Sequence, residues 1–245
     1  MISDLSTIVW KEFKEIFVQR PNLRGGWLGL LIFLFVFGVF LPLQSGPVWL
    51  ESPASLFIWA WVPFIMVNSI VADSFAGEKE RHTLETLLAS RLSDRTILFG
   101  KLAAAMAYGW GITLVGILLA LVTINLAYGE GHLLLFPANI GIAIVVLSFL
   151  VALLAAGLGV IISLRASTVR QAQQTLSVAF LLLFIPLFIF PILPGDTQRA
   201  IVEAFSRLNM TMLLVILGAF LLVLDIALIG LAIVRFDRRR LIMST

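Results

Sequence analysis

Asp225 is the one carboxylate set near the centre of an apolar run, where inserting a charge costs about 2.5–3.5 kcal/mol on translocon scales. Such a group can carry a proton, touch a cargo or form half of an aspartyl pair. A buried, hydrogen-bonded carboxyl that fixes helix packing has the same sequence signature. Asp73 is the nearest partner by type, but it falls at the end of another apolar run and matches poorly in depth. The two histidines, His82 and His132, lie in loops on opposite sides, and no His-Glu-x-x-His zinc motif or Gly-x-Ser-x-Gly nucleophile turn occurs. There are no cysteines for disulfides, thiolate ligation or thiol catalysis. A Gly-x-x-x-x-Gly-Lys-Ser/Thr phosphate loop is also missing, so a process run on ATP needs a second polypeptide to hydrolyse the nucleotide.

The other concentration of polar residues is 77–101, GEKERHTLETLLASRLSDRTILFGK, an island between two hydrophobic blocks. Glu78, Lys79, Glu80 and Arg81 form a mixed-charge turn that cannot sit in hydrocarbon and must face water or a partner. Leu84, Leu87 and Leu88 then recur at helical spacing, which predicts a short helix with one apolar face. Ser93 followed by Asp94 reads as the cap and first turn of the next helix. A short amphipathic helix rooted at both ends in long helices can pass a push from a soluble partner into the bilayer. A solvated loop with its leucines on the lipid headgroups fits the same residues.

These groups must be positioned by membrane-spanning helices. Of 245 residues, 60% are hydrophobic and 13% charged, too little polar surface for a soluble globule. The pI of 9.7 does not call for nucleic acid, because the basic residues stand at the edges of apolar blocks rather than on one face. Six apolar runs, at about 25–43, 54–72, 97–127, 137–164, 175–193 and 211–234, are each long enough to cross ~30 Å of hydrocarbon. The third exceeds what a bilayer needs, so its first turns project into the cytoplasm. Ala152, Ala155, Ala156, Gly157 and Gly159 give the fourth a small-residue face for close helix contact. Pro186 and Pro191 predict a kink in the fifth.

Outside the spans, residues 3–20 carry charge throughout and lack the apolar core of a signal peptide. They place Leu5, Ile8, Val9, Phe13, Ile16 and Phe17 on one helical face, with Asp4, Lys11, Glu12, Lys14 and Glu15 elsewhere, which predicts an amphipathic helix lying in the interface. Pro21 ends it. Between 194 and 210, Asp196 can cap a short external helix with Ile201, Val202, Phe205 and Leu208 on its apolar side. All but Arg199 and Arg207 of the 17 Lys and Arg fall on one side, which makes both termini and the polar island cytoplasmic. The expected architecture is thus an all-α integral membrane protein, one transmembrane domain over residues 1–245.

The sequence Gly77-Glu78-Lys79-Glu80-Arg81, with Thr83-Leu84-Glu85, Leu87-Leu88, Ser93 and Gly100-Lys101, resembles the signature that follows the second span in permease subunits of type-2 ATP-binding-cassette (ABC) exporters. With the six-span layout, the resemblance covers nearly the whole chain. It departs from the pattern at His82, where Gly is frequent, and at Arg91-Leu92, where a proline-containing pair is frequent. The resemblance implies that 77–95 is a coupling segment. Its helix, around Thr83 to Ser90, would dock on an ATPase, with polar contacts from Glu78, Glu80, Arg81 and Glu85 while Leu84, Leu87 and Leu88 fill its groove.

It also implies two permease copies, identical or paralogous, with two ATPase subunits that hold ATP and Mg, in a prokaryotic inner or plasma membrane with lipids as neighbours. No cofactor is expected in this chain. In that family the second and fifth spans face the dimer axis, so Trp59, Trp61, Phe64, Asn68, Phe184 and Phe188 are candidates for a translocation path, or else packing and interfacial-belt residues. The alternative from a different class is an ATP-independent carrier or an intramembrane enzyme using Asp225, although the paired broken helices of repeated-half carriers are not seen.

Overall fold

The computed structural model describes residues 2–16, 23–206 and 209–236, and no strand occurs among them. In chain order the helices are α1 (Ile2–Lys14), α2 (Leu23–Phe35), α3 (Leu41–Ser45), α4 (Val48–Glu51), α5 (Pro53–Glu80), α6 (Leu84–Leu88), α7 (Asp94–Tyr128), α8 (Ala138–Arg165), α9 (Val169–Ile189), α10 (Gly195–Ser206) and α11 (Met210–Arg235). A π-helical turn, Val36–Phe40, joins α2 to α3, and the Thr123 hydroxyl donates to the Gly38 carbonyl within it at 3.0 Å. Five stretches among the described residues are long and apolar enough to cross a membrane: Leu28–Ser45, Ala54–Glu80, Asp94–Tyr128, Ala138–Arg165 and Met210–Arg235. The chain is an integral membrane protein. The run expected at 175–193 falls on α9, whose side chains at Phe184, Pro186 and Phe188 lie outside the described residues.

Local signals set most boundaries. Ser52 accepts from the Ala54 N–H at 3.1 Å, with Pro53 in the first helical position of α5. Ser93 caps α7 as expected, accepting from the Thr96 N–H at 3.2 Å, and Asn209 caps α11 through the Thr211 N–H at 3.1 Å. Asp196 lies in the first turn of α10 rather than at its cap, where its charge still suits the positive helix end. Ile201, Val202, Phe205 and Leu208, expected on the apolar side of that helix, lie outside the described side chains.

The centre of the bundle is the pair α5 and α8. Alongside α5 run α7 and α9, α11 packs on α8, and α1 and the π-helical turn lie against α7. The expected small-residue face of α8 is what lets α5 approach: Ala152, Ala155, Ala156 and Gly159 are buried there or beside it. A Cβ on Gly159 would collide with Val71 Cγ1, and one on Gly157 would stand 3.3 Å from Leu228 Cβ of α11. Further along, the Ser163 hydroxyl donates to Ala72 O at 3.0 Å and accepts from the Ala76 N–H at 2.9 Å. Backbone contact this close gives dispersion and hydrogen bonding that lipid cannot replace.

Two expectations change. The second span was expected to end near residue 72, but α5 continues without a breaker to Glu80, so the charged run is its last turn. Gly77 is tolerated there because a Cβ would strike Asp73 Oδ1; its absence leaves the groove in which Asp73 reaches Arg81. The N-terminal helix packs on protein as well: α1 lies against α7, and Ile8, Glu12 and Ile16, at i, i+4 and i+8 on one face, are all buried. Glu12 therefore stands on that face with Ile8 and Ile16 instead of away from it, and Phe17 lies outside the described residues.

The α5–α8 seam predicts that Gly159→Ala lowers the melting temperature of the detergent-purified protein, at an overpacking cost of about 1–3 kcal/mol. Adding Val71→Ala should recover most of that loss. A melting temperature that Gly159→Ala leaves unmoved would count against the packing described here.

Candidate coupling site

The last turn of α5 and its C-cap Arg81 spread four charges over different neighbours. Glu78 points inward, 2% exposed, and its Oε1 accepts from Lys101 Nζ at 2.8 Å and from Lys11 Nζ at 3.4 Å. Lys101 Nζ also donates to Glu12 Oε1 at 2.7 Å and stands 5.4 Å from the centre of the Phe75 ring. Gly100, just before it, makes room for Ile8, whose Cγ2 lies 2.5 Å from where a Cβ would be. The pair Gly100-Lys101 thus seats α1: one residue leaves the space and the other supplies the charge. A small polar cavity lined by Glu12, Glu15, Asp73, Arg81 and Lys101 opens beside this cluster.

Lys79 turns to α8 and donates to Leu164 O at 2.6 Å and Ala166 O at 3.4 Å. Glu80 Oε2 accepts from the Val169 N–H, at the start of α9, at 3.1 Å. Arg81 Nη1 reaches Asp73 Oδ1 at 3.1 Å. Past this turn the backbone closes as a Schellman motif: Thr83 N–H donates to Glu78 O at 2.9 Å and His82 N–H to Lys79 O at 3.0 Å. His82 takes the left-handed position of that motif, with φ +54°. A glycine is the residue most at ease there, which gives a physical meaning to the departure noted in the sequence.

The short helix expected as the coupling element is α6. Leu84 is 2% exposed and belongs to the main hydrophobic core, with Leu87 packed partly against it; the Leu88 side chain lies outside the described residues. Glu85 and Thr83 are exposed. Glu78 and Leu84, expected as contacts to a partner, are therefore internal struts. Two lysines hold Oε1 of Glu78, while its Oε2 has no hydrogen-bond partner among the described residues, and an apolar side chain at the root of a short helix gains more from the core than from water. Glu80 and Arg81 are exposed but already engaged with α9 and Asp73.

Sequence reading placed Lys79 and Lys101 in the segment without naming a partner for either, and put Glu12 off the apolar face of its helix. The signal for Glu12 was its helical phase with Ile8 and Ile16. Lys101 is a lysine set into an apolar run, which needs a buried partner.

The aromatic candidates are mostly core. Trp59 is fully buried with its ring against Gly116 of α7, where Cζ3 lies 2.7 Å from a would-be Cβ. Phe64 is 2% exposed and stacks on Phe180 of α9 at 4.7 Å, with Trp61 edge-on to the same ring at 6.1 Å. Trp59 and Phe64 are both covered by other residues of this chain, while α5 keeps Phe57 and Ile65 exposed. Asn68 is half-buried, and its Oδ1 has no hydrogen-bond partner among the described residues. Phe184 and Phe188 lie outside the described side chains.

Asp225 is 1% exposed on the stripe of α11 shared with Leu214, Leu221 and Ala232. Neither carboxyl oxygen has a hydrogen-bond partner among the described residues. Asp73 is bound to Arg81 and is not its partner.

The ion cluster predicts a double contrast. Lys101→Met leaves two buried carboxylates without their shared cation and should cost about 3–5 kcal/mol, read as lost thermostability. Glu12→Gln, Glu78→Gln and Lys101→Met together should regain much of it, and equal instability of both variants would argue against charge pairing as the cause. At the turn, His82→Gly should be at least as stable as the parent, relieving a left-handed backbone that costs roughly 1 kcal/mol. His82→Val should be less stable, and a His82→Val protein that melts with the parent would contradict the motif.

Residues 3–192 match the family model described as ABC-2 type transporter. The ABC transporter permease protein NatB of Bacillus subtilis (strain 168) is 33% identical over 161 residues, a match that takes in 60% of this chain and 41% of the relative's length. The family match runs from α1 to α9 and so includes every helix that meets at the last turn of α5, whereas α11 with Asp225 lies beyond it. An amphipathic helix rooted between two long apolar helices and a chain with no nucleotide-binding loop agree with that match, and the chain belongs to the ABC-2 type transporter family.

Proposed function

We propose that this chain is the membrane-spanning permease subunit of an ATP-driven exporter, with ATP and Mg held and hydrolysed by a separate ATPase subunit. The observation that carries the reading is the seating of α6. It is a short helix at the basic end of the bundle, and its entry from α5 is fixed by Leu84, the Schellman turn and the charges of α5's last turn. A displacement of α6 is therefore felt by α1, α7, α8 and α9 together. Six spans serve this reading: the α2–α3 unit, α5, α7, α8, α9 and α11, with α10 as the external helix. The distribution of Lys and Arg puts both termini and α6 in the cytoplasm.

Two such permeases, identical or paralogous, pair with two ATPase subunits in a prokaryotic inner membrane. When ATP closes the ATPase pair, α6 moves with it and the spans rearrange to release cargo outward. The surface offered to the ATPase is the side of α6 left open in this chain: Thr83, Glu85 and Arg91 are exposed, together with the outer part of Arg81. Glu78 and Leu84 act behind that surface by holding the helix in place.

Charge reversal of the open side, Glu85→Arg with Arg91→Glu, should remove the ATPase from a pull-down of the tagged permease while the permease still reaches the membrane fraction. Recovery of the ATPase at full yield would reject α6 as the docking element.

A further inference from the structure

Three consecutive residues at the end of α5 divide the bundle between them. Successive side chains on an α-helix are about 100° apart, so Glu78, Lys79 and Glu80 fan through roughly 200°. Glu78 faces α1 and α7, while Lys79 and Glu80 face the turn from α8 to α9. That turn is short, from Arg165 at the end of α8 to Val169 at the start of α9. Lys79 donates to two carbonyls at the end of α8, Leu164 and Ala166, where the helix leaves acceptors unsatisfied and carries partial negative charge. Glu80 accepts from the first N–H of α9, where the partial charge is positive. A Lys-Glu dipeptide on one helix thus closes both helix ends of the facing turn with the sign each end favours. Beneath it, Ala166, Ala172 and Leu176 pack with Ala72 and Ala76 of α5 in one buried cluster.

We propose that Lys79 and Glu80 are positioning residues that carry the displacement of α6 into α8 and α9. Glu78 carries it separately into α1 and α7. The inference rests on the permease reading above and adds to it a division of labour: cutting the Lys79 and Glu80 contacts leaves the ATPase docked and α7 responsive, but disconnects α9. Neither residue touches the ATPase in this scheme.

The absence of cysteine from the chain allows a clean test. Single cysteines are placed at three exposed positions, Thr86→Cys on α6, Arg95→Cys at the start of α7 and Gln174→Cys on α9, in the full complex with its ATPase in inverted membrane vesicles. Maleimide labelling rates are compared without nucleotide and after trapping with ATP and vanadate. In the parent, all three rates should change on trapping. In Lys79→Met with Glu80→Gln, the change at Thr86→Cys and Arg95→Cys should persist and that at Gln174→Cys should be lost. Lys79→Arg with Glu80 intact should restore it.

A second variant leaves both side chains in place. Val169→Pro removes the N–H that Glu80 accepts from, at a first helical position where proline is tolerated. It should weaken the Gln174→Cys response in the same direction. A Gln174→Cys response that survives both the double variant and Val169→Pro overturns the proposal while leaving the permease reading intact. Parent proteins in which no probe responds to trapping overturn both.

Discussion

Lys101 is a buried cation between two carboxylates from other helices, and the rest of the charged end is arranged around keeping it satisfied. Alone, an ammonium group at 1% exposure of its side chain would be prohibitive; with Glu12 and Glu78 both within hydrogen-bonding distance it becomes a three-way joint between α1, α5 and α7. Such clusters are seldom a large source of net stability, since desolvation takes back most of the Coulomb gain. Their strength is specificity: no register shift of α1 along α7 leaves all three charges paired. Ile8 against Gly100 adds a steric key to the electrostatic one.

Elsewhere the structure relies on closeness rather than charge. Among the described residues the α5–α8 seam has no ion pair along its apolar length; it works because Gly159 and the alanines let two backbones approach until Val71 and Ser163 interlock with them. A seam of that kind moves as one body, because sliding by a fraction of a side chain meets a hard wall. The two regimes meet at Gly77. There the close-packed helix becomes the charged one, and the missing Cβ lets Asp73 and Arg81 lie along its surface.

Much of this was legible from residue types and spacing. The apolar runs, the Ser93 cap and the small face of α8 follow from periodicity, capping chemistry and residue volume, which are local properties. The roles of Glu78, Leu84 and Trp59 were not legible, because each depends on what lies opposite. A glutamate at a helix end reads as solvated until a lysine 23 residues away is folded against it. Nothing in the sequence around Trp59 points to Gly116, which leaves a slot for its ring. Glu12 was obscured by its neighbours: Lys11, Lys14 and Glu15 belong to the polar side, and composition alone gives no reason to separate one acid from another.

The joint at Lys101 also has a consequence for how the chain is built. Glu12 leaves the ribosome 89 residues before the lysine that binds it. For all of that interval the first helix has no seat, and its acid has to remain hydrated at the bilayer surface while two apolar segments are threaded past it. Helix α1 is thus made well before its partner and locked late, its docking timed by the synthesis of the helix that starts at Asp94.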